Sequence, residues 1–368
     1  MASSKLEATV VLVLLTIWVP GIQGTLPVQP HSLNPVVDVV YTWVDTSDTR
    51  WAAAKQVHKF QNASPTQSLD NAGEILISLA SLEARWPWIG KIHIATAFNQ
   101  SFTLHTLSQQ LQQKISFVDH TDFIPAEYLP TFSAPAIEAN LHRIPGLSEN
   151  FIYQNDDFFA CPLTAADVFA TRPGGFHEQK LKVFAMQAPL FYRIRACTNP
   201  KLWGFSLCNT KRAFVKRLPH AAFPSLLWHG AYFLTKQAYE HTWKVFSNEM
   251  HRVSAHRFRY YEANVQPVIL VMNVAVSYGY QQLDHAHIFN GYGVQRQRAF
   301  VEDMAKGFDE KGYCQKGAIT FYHQALAKSS AEVALSFCHA AFRAFFVGLN
   351  PTASNCFCAA RPFGLKCT

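Results

Sequence analysis

Two hydrophobic rhythms alternate along the first half of this chain. Val36 to Val44 is a nearly continuous β-prone run, the pattern of a strand covered on both faces, and it ends in Asp45-Thr-Ser-Asp48. Asp70-Asn71, with Glu74 three residues after Asn71, has the form of a helix N-cap and its partner. The helix it opens is predicted to run to about Arg85, before Trp86-Pro87. Lys91–Thr96 and Ile115–Asp119 read as short strands. Pro135 suits a first helical turn and predicts a helix over Ala136–His142. Phe151 to Tyr153 is another buried strand, and it leads into Asn155, Asp156 and Asp157. Residues 172–230 read as loop-rich, and helical spacing returns at about 233–248, 263–278 and 331–347.

Strands alternating with helices predict an α/β fold, Rossmann-like, with a mostly parallel sheet and flanking helices. A loop-rich, disulfide-containing helical C-terminal part follows. The expected segments are a signal peptide or signal anchor over 1–24, a linker over 25–35, a catalytic domain over 36–350 and a Cys-rich tail over 351–368.

Composition narrows this picture. The chain has 368 residues, and charged residues make up only 15% of it, a globular composition with ample core material. The net charge of +7 is uneven: residues 1–184 hold 11 Lys and Arg against 16 Asp and Glu, and residues 185–368 hold 21 against 9. An acidic first half can supply metal ligands and a basic second half can meet phosphate; incidental surface charge explains the split equally well. No finger-like, basic-heptad or RNP-like pattern is present, so nucleic acid is not an expected partner.

Apolar residues dominate Ala8–Val19 and stop at Pro20-Gly21. That run is short for a membrane span and fits a secretory signal cleaved near Gly24, with an uncleaved anchor as the alternative. All eight cysteines lie beyond residue 160, an even count that suggests disulfides whose pairing is not readable here. Asn62-Ala-Ser64 and Asn99-Gln-Ser101 are glycosylation triplets. Together these predict a protein of the secretory lumen (Golgi or ER) or a secreted one, with membrane association through the N-terminal segment as a further expectation.

The candidate chemistry sits at strand ends. Adjacent carboxylates such as Asp156 and Asp157 are costly to desolvate unless water, donors or a cation satisfy them. At the carboxyl end of a strand they suit a hard cation carrying phosphate, whereas in isolation they read as a solvated turn. Asp45 also follows a strand and reads as a metal or nucleotide contact, or as the cap of a turn. Glu138 and His142, four residues apart, would share one face of the helix expected there, with His142 suited to act as a general base. Arg143 beside them could bind phosphate or pair with a carboxylate.

An ordered series of segments carries a family resemblance. They are Val37-Asp-Val-Val-Tyr-Thr-Trp-Val-Asp45, Asp70-Asn-Ala-Gly-Glu74, Val118-Asp-His-Thr-Asp122, Leu129 to Glu138, His142 to Glu149, and Phe151 to Phe159. The series resembles the Stealth family of sugar-phosphate transferases, which includes bacterial capsular polysaccharide phosphotransferases and the animal N-acetylglucosamine-1-phosphotransferase. The match is dense over 36–159 and looser over 212–279.

The resemblance implies that a nucleotide-sugar of the UDP-sugar type donates sugar 1-phosphate to a hydroxyl of a glycan or glycoprotein acceptor. A phosphodiester forms and a nucleoside monophosphate leaves. It implies Mg²⁺ or Mn²⁺ on Asp156 and Asp157, and donor contacts from Asp38, Asp45, Asp70, Asn71 and Arg143. It also implies catalytic roles for Glu138, His142, His229 and Arg259, with Arg259 on the diphosphate. Asp38, inside the strand, reads first as structural, Asp70 and Asn71 read equally as caps, and His220 competes with His229.

Two departures stand out. Ala80 replaces an arginine of the family pattern, and Ile319 to Gln324 occupies the place of a terminal Asn-Asp pair. They raise the alternative of a degenerate member that binds a sugar nucleotide or glycan without turnover. A metal-dependent glycosyltransferase is the other alternative.

Overall fold

Val37–Thr42 (β1) is buried along almost its whole length, as its unbroken apolar run requires. The computed structural model describes residues 35–59, 74–156, 158–160, 163–170, 180–184, 186–187, 197–201, 203–223, 226–227, 231–284 and 318–320. The segment over 1–24, Asp70, Asn71, Asp157, His229, the helix expected over 331–347 and the tail over 351–368 lie outside the described residues. The described residues all belong to the unit from Asn34 onward.

After β1 come α1 (Thr49–Val57) and α2 (Glu74–Arg85), then β2 (Ile92–Thr96), α3 (Gln109–Lys114) and β3 (Ile115–Asp119). A short helix α4 (Ala134–Glu138) and a 3-10 turn (Leu141–Arg143) lead into β4 (Asn150–Asn155) and β5 (Phe158–Ala160). Next are α5 (Ala165–Val168), β6 (Phe169–Ala170), β7 (Lys180–Phe184), β8 (Met186–Gln187), α6 (Trp203–Arg217), β9 (Leu226–Leu227) and β10 (Tyr232–Thr235). The remaining elements are α7 (Lys236–Val245), α8 (Ser247–Ala255), α9 (Pro267–Ser277), β11 (Gln282–Asp284) and β12 (Ala318–Thr320).

The central sheet has the order β10-β4-β1-β2-β3. β1 is parallel to both β2 and β4, β2 is parallel to β3, and β10 closes the edge antiparallel to β4. Read from its other edge, the order 3-2-1-4 is that of a doubly wound sheet, and its direction of growth reverses between β1 and β4. The expected α/β class with a mostly parallel sheet is what the chain adopts.

Several local expectations change. The helix expected over 136–142 is broken: α4 stops at Glu138, and His142 stands on a separate 3-10 turn. The helix expected over 233–248 begins as strand β10, and Thr235 then caps α7 by accepting from the Ala238 amide. The stretch expected to be loop-rich contains the 15-residue helix α6. Its Cys208 is joined to Cys197 by a disulfide. Among the described residues, no helix is long and apolar enough to cross a membrane.

Candidate active site

The reversal between β1 and β4 puts the two strand ends side by side, with Thr42 opposite Asn155. Open α/β sheets bind ligands in the crevice at such a point. Tyr153 is the centre of what is built there. Its hydroxyl lies 3.2 Å from Thr42 Oγ1, 3.0 Å from Asn155 Oδ1 and 3.2 Å from Glu138 Oε1. Burial, then the nearby Glu138 charge, holds its pKa well above the usual tyrosine value, so the phenol stays protonated.

Glu138 ends α4 over this hydroxyl. Its main-chain oxygen accepts a 2.9 Å hydrogen bond from Tyr239, which fixes the turn after the helix. Burial of the carboxyl pushes its pKa up to about 7; the Tyr153 hydrogen bond and the Arg259 charge oppose that rise. Arg259 follows Phe258 on the loop after α8 and hydrogen-bonds Tyr261. Glu138, Tyr153 and Arg259 therefore form one electrostatic unit at the carboxyl edge of the sheet.

His142 is placed differently. Its ring stacks on Tyr239 at 4.9 Å and 14°, and its buried Nδ1 has no hydrogen-bond partner among the described residues. Burial, then the charges of Arg143 and Lys236, lowers its pKa to about 3. The shared helix face expected for Glu138 and His142 does not exist, because the helix ends between them. Arg143 lies over the Trp243 ring at 4.7 Å, which occupies one face of its guanidinium.

The acidic residues divide by location. Asp45 follows β1, and its Oδ1 accepts from the Ser47 amide and hydroxyl at 2.9 and 2.6 Å. Gln100 grips its backbone from both sides, accepting from the amide and donating to the carbonyl. Asp156, half-buried, forms the turn directly after β4, and its charge adds to the burial that raises the Tyr41 pKa.

Asp38 lies seven residues before Asp45, near the start of β1 and at the amino end of the sheet. Its Oδ1 accepts from the Lys91 amide at 2.7 Å and its Oδ2 from the Ser148 amide at 2.8 Å, with His93 Nε2 3.5 Å away. That geometry matches the structural alternative for Asp38, and it takes no part in the site described here. A cavity of about 560 Å³ lies along the edge strand β3, lined by Lys91, His93, Lys114, Ser116, Val118 and Asp122 among others.

Among the described residues, no group of three or more His, Cys, Asp or Glu is arranged to hold a metal ion. Asp45 Oδ2, which takes no hydrogen bond among the described residues, and Asp156 offer hard oxygen donors at neighbouring strand ends. They are only part of such a set. Sequence reasoning missed Tyr153, Thr42 and Gln100. Tyr153 sits in an apolar run and reads as core; the one signal was that its polar tip falls two residues from the acidic strand end.

Residues 68–177 match the family description Stealth protein CR2, conserved region 2. The chain is 35% identical over 231 residues to the capsular polysaccharide phosphotransferase fcs1 of Haemophilus influenzae, covering 61% of this chain and 60% of that protein. It is 32% identical over 241 residues to the capsular polysaccharide phosphotransferase cps1A of Actinobacillus pleuropneumoniae, covering 63% of each. The chain thus spans less than two thirds of the curated relatives it matches. Among solved structures, the galactosyltransferase LgtC in complex with donor and acceptor sugar analogs aligns with a TM-score of 0.41 at 10% identity, over 82% of this chain and 95% of that one. A likeness that weak decides nothing here.

Proposed function

We propose that this chain, which carries conserved region 2 of the Stealth proteins, transfers a sugar 1-phosphate from a UDP-type nucleotide-sugar to a hydroxyl of a glycan acceptor. The product is a phosphodiester, and the nucleoside monophosphate leaves. The observation that carries this reading is the Glu138–Tyr153–Arg259 unit at the switch point of the sheet, with Glu138 titrating near 7. A base with that pKa is matched to taking a proton from a hydroxyl at neutral pH. We assign that role to Glu138 rather than to His142, whose pKa of about 3 makes its imidazole a weak base.

In this reading Glu138 removes the acceptor proton as the oxygen forms its bond to the sugar-bearing phosphorus. The bond from that phosphorus to the bridging oxygen breaks, and its electrons leave with the nucleoside monophosphate. Arg259 faces the diphosphate and offsets the charge that develops on its oxygens. A divalent cation, Mg²⁺ or Mn²⁺, belongs to the proposal. Asp156, with Asp157 next in the chain and Asp45 from the neighbouring strand end, would hold it, and it would supply positive charge to the diphosphate. The lumenal location expected from the N-terminal segment is carried with the same proposal.

The test is a panel of UDP-sugars labelled with ³²P in the β-phosphate and ³H in the sugar, incubated with the full chain, Mn²⁺ and oligosaccharide acceptors. Both labels on the acceptor, with UMP released, is the expected result. Tritium alone on the acceptor, with UDP released, would make the protein a glycosyltransferase. Donor binding with no product would make it a degenerate member, a reading favoured by one observation: Ala80, in place of the family arginine, is 1% exposed and packed in the core. In the same assay Asp156→Asn should abolish transfer with an unchanged circular dichroism spectrum; full activity in that variant would remove Asp156 from the site.

A further inference from the structure

Arg259 has a second cation beside it. Lys55 lies in the last turn of α1, the helix that follows the carboxyl end of β1, with its ammonium 4.5 Å from the centre of the Trp51 ring. A chain of aromatic contacts ties this helix to the Arg259 loop. Trp51 meets Phe132 edge-on at 5.7 Å, and Phe132 packs on Phe258 at 5.3 Å. The Phe132 amide donates to the Arg257 carbonyl at 2.7 Å. Trp51, Phe132 and Phe258 share a buried cluster with Ala97, which follows the carboxyl end of β2.

The segments that carry the two cations are thereby brought together. Among the described residues, neither has a carboxylate within ion-pair distance. Burial and the charge of Arg259 both lower the Lys55 pKa, so the two cations oppose each other, while Arg259 also acts on the Glu138 carboxyl. A lysine in the last turn of a helix, resting on a tryptophan, has an ordinary structural reading. That reading does not account for a second cation, in no ion pair among the described residues, carried next to Phe258 at the end of the same run of buried rings.

We propose that Lys55 and Arg259 form a two-cation clamp for the diphosphate of the nucleotide donor, with the lysine contributed by α1 and the arginine by the loop after α8. The inference rests on the transferase reading for the identity of the anion, but the clamp can be tested without turnover. An anion bridging the two groups relieves their repulsion and gains charge-assisted hydrogen bonds from both. Trp51 under Lys55 holds the ammonium in place, which lowers the entropy lost on binding.

The experiment is titration calorimetry of the full chain with inorganic pyrophosphate, UDP and uridine in the presence of Mg²⁺, at two salt concentrations. Lys55→Met keeps the aliphatic stem over Trp51 and removes the charge; Lys55→Arg restores it. Lys55→Met is expected to weaken pyrophosphate and UDP by about tenfold or more and to flatten their salt dependence. Uridine binding should be unchanged, and Lys55→Arg should stay within about threefold of the parent. Unchanged pyrophosphate affinity in Lys55→Met overturns the clamp, whatever the transfer assay shows. A parent chain that binds neither pyrophosphate nor UDP overturns the clamp and the transferase reading together. Lys55-dependent pyrophosphate binding without transfer from any UDP-sugar leaves the clamp standing and removes the transferase reading.

Discussion

At the scale of single residues, one proton decides what the site can do. The Tyr153 hydroxyl has one hydrogen and three oxygen neighbours, Thr42, Glu138 and Asn155. When Glu138 is protonated it can donate to Tyr153, which then donates to Asn155. When Glu138 is ionised, Tyr153 must turn its hydrogen toward the carboxylate and Asn155 loses its donor. The shift of Glu138 from 4.5 to about 7 has a stability consequence. The folded state favours the protonated acid, so the stabilisation is complete below pH 4.5 and is lost as pH rises through 7. His142 works in the opposite sense: its pKa falls from 6.5 to about 3, so its contribution is complete above pH 6.5 and is lost on acidification through 3. The two slopes oppose each other between 4.5 and 6.5, and Glu138 alone acts from 6.5 to above 7. Glu138→Gln should therefore flatten the fall in melting temperature between pH 6.5 and 8. It should also lower transfer by about 10²- to 10⁴-fold, the usual worth of a general base. Melting curves of parent and variant that run parallel across that range would remove the shifted carboxyl.

At the scale of elements, the anchor at the amino end of β1 gives a sharper prediction. Asp38 is 1% exposed and binds one main-chain donor with each oxygen. Burial raises its pKa, but the bonds from His93, Ser148 and Lys91 outweigh it and leave it below the usual carboxylate value. The chain passes so close that a Cβ on Gly90 would lie 2.4 Å from Asp38 Oδ1. Asp38→Asn turns one acceptor into a donor facing a main-chain N–H. A loss of about 1–3 kcal/mol in urea unfolding is expected, the cost of stranding one buried donor. An unchanged midpoint would mean the clasp carries no energy.

The same elements show what a sequence can and cannot disclose. β1, β2 and β4 were legible because strands buried on both faces are runs of apolar residues with no helical competitor, and the edge strand β3 was legible from its short β-prone run. α6 was not. Its buried residues include Gly204, Ser206, Cys208 and Thr210, small or polar residues on two sides of the helix that hydrophobic spacing cannot register. The Ser206–Thr210 side is held by hydrogen bonds: Thr210 Oγ1 accepts from the Gln266 amide, and Gln266 Nε2 donates to Ser206. The break in the helix after Glu138 was hidden too, because it depends on Tyr239, about a hundred residues away, binding the Glu138 carbonyl. Asp45 and Asp156 were legible as strand-end acids, whereas Lys55 needed the Trp51–Phe132–Phe258 contacts to bring it to Arg259.

At the scale of the molecule, the sheet has two unlike ends. At the carboxyl end, β1 and β4 terminate in polar turns, and Glu138 of α4 reaches Tyr153 there with Arg259, from the loop after α8, acting on it. The uneven charge along the chain takes on meaning here, since the acids Asp45, Glu138 and Asp156 come from the first half and Arg259 comes from the basic second half. At the amino end, Asp38 draws together β1, the start of β2 and the segment before β4. The Gly90 amide donates to Val37 O at 2.8 Å beside it. Those amide hydrogens can meet solvent deuterium only when the sheet itself opens. Hydrogen–deuterium exchange should therefore be slow at Gly90, Lys91 and Ser148 and fast in the 45–48 and 97–100 turns. Added UDP should protect the second group and leave the first unchanged. Equal protection at both ends would contradict a binding crevice confined to one of them. The clasp thus works as a fixed jaw: whatever this protein binds, the far end of the sheet should keep time as though nothing had arrived.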